Sequence, residues 1–149
     1  MKEVKTIFEA ENVTSVDFGK WSDLGEYVLE LSPEMKIPGK VFGGATVGAT
    51  GSEFSFQTFA PGTESGFIHT HKTHEELYFV LRGNGEFQVD GHNIPVQEGS
   101  VVRVAPNGRR TLRNNGTEPL VVLCVQYPEA KAGEVNASDG VILADKVQW

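Results

Sequence analysis

Residues 62–83 read GTESGFIHTHKTHEELYFVLRG, and the fold turns on them. Three of the four histidines, His69, His71 and His74, fall within this stretch, and Glu75 and Glu76 follow at once. In an extended chain residues i and i+2 point to the same face. His69 and His71 therefore present two imidazoles side by side. The polar pair Thr73 and His74 makes a turn, and the chain returns through Glu76 to Leu81 as an adjacent strand. Glu76 can then aim at the same centre, whereas Glu75, of opposite parity, faces solvent. Two imidazoles and a carboxylate with open positions suit non-haem Fe(II) and also accept Mn, Co, Ni or Zn. His69, His71 and Glu76 are thus candidate ligands of a divalent transition metal, with His74 as a substitute. Histidines in a polar turn are also common surface residues, so the flanking sequence has to decide.

Outward from this stretch the chain alternates short apolar runs with turn signals. Phe54 to Phe59 is strand-like and ends at Pro61-Gly62. Leu77 to Leu81 ends at Gly83, Glu86 to Val89 at Asp90-Gly91, a strong hairpin signal, and Ile94 to Val96 pairs back. Ser100 to Ala105 ends at Pro106-Asn107-Gly108, and Thr111 to Arg113 and Leu120 to Tyr127 follow. Strands at this spacing read as a sandwich or barrel. Upstream, Val16 to Trp21 and Glu26 to Leu31 are short strand candidates, Pro33 and Pro38 break the chain, and Phe42 to Gly51 is rich in glycine. The expected organisation is an N-terminal arm with outer strands over 1–49, a barrel over 50–127 and a tail over 128–149 that packs on the barrel through Val141 to Trp149.

The totals agree with one domain. The chain has 149 residues, 39% hydrophobic and 22% charged, with 17 glycines and 7 prolines to supply turns. A net charge of −7 argues against nucleic-acid binding, which needs a clustered basic surface. The arginines Arg103, Arg109, Arg110 and Arg113 read as a solvated strand and turn, or as guanidinium groups that reach an anionic ligand. The single cysteine, Cys124, sits in an apolar run and reads as a buried small hydrophobe. No signal-peptide core and no apolar run of membrane-spanning length is seen, so a cytoplasmic setting with no membrane partner is expected.

A second stretch, GSVVRVAPNGRRTLRNN at residues 99–115, completes the picture. The two stretches resemble the paired motifs of the cupin superfamily, small single-domain cupins of the cupin 2 type. The first motif is matched by His69, His71, Glu76 and Gly83, with one residue more than usual between Gly62 and His69. The second is matched by Gly99, Pro106, Gly108 and Asn115, again with one extra residue. The resemblance covers about a third of the chain and implies an all-β fold, a double-stranded β-helix or jelly-roll barrel. It departs at the fourth ligand: where the family motif has histidine, this chain has Thr111, or Arg110 if the extra residue is placed differently. Neither is an ordinary metal ligand, and arginine does not deprotonate in proteins.

The resemblance implies a metal-dependent dioxygenase, decarboxylase or isomerase acting on a small organic acid or sugar, with Fe, Mn, Zn, Ni or Co as cofactor. The alternative is a non-catalytic small-ligand-binding module with an incomplete metal site. Strand parity adds Tyr78, which shares a face with Glu76, and Gln126, which shares one with Cys124, as substrate-binding candidates. Arg113 joins them as a cation for a carboxylate, on a face shared with Thr111. Phe54 and Phe56 are expected in the core or the cavity wall. An exposed edge strand invites pairing, and cupins of this kind are commonly dimers, so a homodimer is expected.

Overall fold

The computed structural model describes residues 2–130 and 139–148. Among the described residues twelve strands are formed in chain order. They are β1 (Lys5–Ala10), β2 (Val13–Asp17), β3 (Val28–Glu30), β4 (Lys36–Pro38), β5 (Lys40–Phe42), β6 (Glu53–Phe59), β7 (His74–Arg82), β8 (Asn84–Val89), β9 (His92–Gln97), β10 (Val101–Val104), β11 (Arg110–Arg113) and β12 (Leu120–Pro128). A 3-10 turn, Trp21–Glu26, and a single helical turn, α1 (Gly44–Val47), complete the elements.

Two antiparallel sheets face each other as a jelly roll. One has the order β10-β7-β12-β6-β5 and the other β11-β8-β9. The core lies between them and includes Phe59, Val80, Phe87, Leu112, Leu120 and Val122. The β8–β9 hairpin turns on Asp90 and Gly91 with φ of 50° and 83°. Two successive positive φ values match the right-handed twist of the flanking strands, hence the Asp-Gly pair. The segment 63–71 runs along β11 as a further edge, with backbone hydrogen bonds between His69 and Arg110 in both directions and from Ser65 N–H to the Leu112 carbonyl.

The outer face of the larger sheet is also apolar, because the N-terminal residues cover it. Leu24, Tyr27 and Val121 form a second buried cluster with Val4, Val41 and Phe56 around it. Phe18 packs edge-on against both Phe54 and Phe56, and Trp21 lies 4.9 Å from the Phe56 ring. Phe54 and Phe56 thus belong to the outer cluster and not to the cavity wall. Their inward-facing neighbours are Ser55 and Phe59, both buried.

Several boundaries differ from the sequence expectation. The barrel sheet starts ten residues before residue 50, because β5 pairs with β6 through Lys40↔Gln57, Val41↔Phe56 and Phe42↔Ser55. The first strand, β1, lies where no element was expected, and among the described residues it pairs with β2 alone. At the other end, residues 139–148 have no helix or strand, and Ile142 is 99% exposed. Val141, Leu143 and Val147 are exposed too, so these side chains do not pack on the barrel of the single chain. Residues 131–138 and Trp149, part of the same expected tail, lie outside the described residues. No helix among the described residues is long and apolar enough to cross a membrane.

Candidate metal and ligand site

Strand register carries the candidate residues to one place. On the larger sheet, Glu76 pairs with Val104 on one side and with Gln126 on the other. Directly opposed residues share a face, so Glu76, Val104 and Gln126 form one inward row. The next row joins Phe42, Ser55, Cys124, Tyr78 and Val102, and the one after it Lys40, Gln57, Val122 and Val80. Across the barrel, the backbone bridge between His69 and Arg110 turns both side chains inward, and His71 follows two residues on.

Glu76 is the hub. It is buried, and its Oε1 lies 3.1 Å from His71 Nε2 and accepts from the Cys124 thiol at 3.5 Å. Its Oε2 accepts from the Tyr78 hydroxyl at 2.5 Å and from Arg110 Nε and a terminal guanidinium nitrogen at 2.9 and 2.6 Å. Arg110 is 1% exposed and donates its remaining terminal nitrogen to the Gly108 carbonyl at 2.7 Å. His69 Nε2 lies 3.9 Å from Glu76 Oε2.

These contacts set the protonation states. Burial alone would raise the Glu76 carboxyl, but the Tyr78 hydrogen bond and the Arg110 guanidinium outweigh it and hold the group below its ordinary range. Burial, reinforced by the Arg110 charge, lowers the His69 imidazole to about 4, so the ring is neutral at pH 7. Burial and the nearby Glu76 charge push the Cys124 thiol up to about 12 and raise the Tyr78 hydroxyl, so both stay protonated donors.

The donor set fits a divalent transition metal. One ligand atom from each of His69, His71 and Glu76 lies within 4.8 Å of the others. His69 is neutral, as a ligand must be, and its buried Nδ1 has no hydrogen-bond partner among the described residues. His74 does not join the group; its Nδ1 lies 3.3 Å from the Thr73 hydroxyl. Arg110 fills the fourth position, so among the described residues the candidate ligands are these three.

The one-residue ambiguity in the second motif is resolved by β11. Arg110 and Leu112 face inward and are buried; Thr111 is half-buried and Arg113 exposed. Four residues after Arg110, the buried Asn114 donates to the carbonyls of Phe59 and Glu118, whereas Asn115, the expected match, is exposed. Arg113 therefore does not reach the centre. It pairs at the surface with Glu86 at 2.7 Å. Glu75 is likewise on the outer side, accepting from Arg103 Nε at 2.7 Å.

A cavity of about 520 Å³ adjoins the centre, lined by His69, Tyr78 and Arg110 with apolar walls that include Phe59, Phe67 and Phe87. The segment Glu34 to Lys40 forms another wall. Gln126 is not among the lining residues, although it stands beside Glu76 in register. Lys40 was not singled out in the sequence, where a lone lysine after Pro38-Gly39 gives no signal. Its position is visible only once β5 is known to enter the sheet.

Comparison with known proteins agrees with this architecture. The family model described as "Cupin domain" matches residues 55–126. A cupin protein from Bacteroides fragilis superposes with a TM-score of 0.65 at 29% identity, over 77% of this chain and 94% of that one. The chain belongs to the cupin family. Among curated relatives of this cupin, an L-ectoine synthase from Hyphomonas neptunium is 30% identical over 64% of the chain and 70% of its own length. An oxalate-binding protein from Thermotoga maritima is 29% identical over 48% of the chain and 59% of its own length. The cupin described here thus spans less than two thirds of that second relative.

Proposed function

We propose that this cupin binds a divalent transition metal through His69, His71 and Glu76 and acts there on a small organic acid or sugar. The observation that carries the reading is the convergence of these three donors beside a cavity large enough for a small ligand, within the roughly 300–1,000 Å³ usual for such sites. The relatives whose names include oxalate-binding protein and glucose-6-phosphate isomerase support the two ligand classes. A metal at such a site polarises a ligand oxygen or activates dioxygen through its open positions, which covers dioxygenase, decarboxylase and isomerase chemistry. The chain's own contribution is to hold Glu76 ionised, keep His69 neutral, place the Tyr78 hydroxyl beside the centre and surround the ligand with apolar walls. Gln126, in the same row as Glu76, is a further candidate contact.

A second reading, a non-catalytic ligand-binding cupin, is favoured by one observation. Arg110 already neutralises Glu76, and its fixed charge opposes a dication. Elemental analysis of tag-free protein separates the readings. Near-stoichiometric metal that disappears in the His69→Ala/His71→Ala double variant is expected. Metal content unchanged in the variant would remove the site, and failure to take up metal on reconstitution would leave the non-catalytic reading.

The proposal extends to a cytoplasmic homodimer. Ile7, Phe8 and Val13 on the β1–β2 hairpin are exposed and offer an apolar surface for a second copy. Sedimentation equilibrium that returns the 16.2 kDa monomer at all concentrations would refute the dimer.

A further inference from the structure

Lys40 points a cation into the barrel with no carboxylate to meet it. Its row partner Gln57 faces the interior, and Lys40 Nζ donates to Gln57 Oε1 at 3.3 Å while lying 5.4 Å from the centre of the Phe42 ring. An ammonium has three donors, and among the described residues only this one contact is hydrogen-bonding. No carboxylate of the described residues lies within ion-pair distance of it. The other charges at the centre are already matched: Arg110 is paired with Glu76, and His69 is neutral. Burial lowers the Lys40 ammonium from its ordinary value and outweighs the opposing pull of the nearby Glu76 charge. The cavity in front of it has an apolar stretch of wall formed by Met35, Ile37, Phe59 and Phe87, beside polar side chains that include Thr58 and Ser65.

We propose that Lys40 is the anion anchor of the cavity and that the ligand is a monocarboxylate with an apolar body, its carboxylate on Lys40 Nζ and its body against Phe59 and Phe87. The inference rests on the reading of the cavity as a ligand site and selects the acid over the sugar. A charged hydrogen bond within an apolar wall discriminates strongly against a neutral isostere. A neutral sugar, by contrast, would leave the Lys40 charge unmatched.

The test is calorimetric binding of hexanoate and benzoate, each against its amide, to protein stripped with EDTA and again after loading with Zn(II). In wild type, at least one carboxylate is expected to bind about ten- to a hundredfold tighter than its amide, the range of a hydrogen bond to a charged group. Lys40→Met should abolish that preference and Lys40→Arg should keep most of it, with circular-dichroism melting used to establish that both variants are folded. A preference that survives in a folded Lys40→Met protein would overturn the anchor and leave the cavity reading intact. If neither carboxylate binds wild type in either form, anchor and cavity reading fall together. Tighter binding of glucose or glucose 6-phosphate than of either carboxylate would overturn the acid assignment alone.

Discussion

Arg110 is a permanent cation at a position almost without solvent, and Glu76 makes that tolerable. Breaking a buried pair on one side leaves an uncompensated charge and typically costs about 3–5 kcal/mol, whereas replacing both partners with neutral groups costs far less. Glu76→Gln in the presence of Arg110 should therefore lower the urea midpoint markedly, and the Glu76→Gln/Arg110→Met double variant should regain much of the loss. Equal destabilisation in the single and double variants would mean that the pair does not act as a unit. The shared face of His69 and His71 was legible from their spacing, because parity in an extended segment needs no tertiary information, whereas reading them together with Glu76 needed the flanking motif. Arg110 was not legible. A one-residue shift exchanges the two faces of a strand, and Arg110-Thr111-Leu112-Arg113 offers an arginine to either register. Only the backbone bridge to His69 decides that Arg110 turns inward and Arg113 outward.

At the level of elements, the strands from Glu53 onward were readable because glycine-bearing turns separate them, and at some of these turns the glycine is required. Gly83 joins β7 to β8 with φ of 80°, and a Cβ there would lie 2.4 Å from the Pro119 carbonyl oxygen. Gly91, with φ of 83°, has nothing within 4 Å of the same added atom. Gly83→Ala combines backbone strain with a clash against backbone and should destabilise by at least about 1–3 kcal/mol. Gly91→Ala should cost less; thermal melts that rank the two the other way would contradict the geometry. The N-terminal elements were less legible for physical reasons. β1 is exposed along its whole length, so its alternation of residues reports no burial. Phe54 and Phe56 alternate correctly, but the sheet is apolar on both faces, and alternation alone does not tell inside from outside.

At the scale of the whole molecule, two clusters that look independent share one short strand. In β5, Lys40 and Phe42 face the barrel interior, and between them Val41 packs outward with Leu24, Tyr27 and Val121. Three residues thus carry both the cavity wall and a part of the seat on which the N-terminal cover rests. Binding and local opening are linked quantities: a ligand that favours one arrangement of β5 must stabilise whatever else depends on it, by the same free energy in either direction. Hydrogen exchange at Val41 and at Tyr27 should therefore slow together when a carboxylate enters the cavity, and protection confined to the interior strands would show that the two faces are uncoupled. Trp21, tilted against Phe56 on the outer face, then becomes a remote reporter. With Trp149 replaced by Phe, its emission senses the fit of the cover and not the ligand itself, so a fluorescence change on binding would be a signal relayed through a strand three residues long.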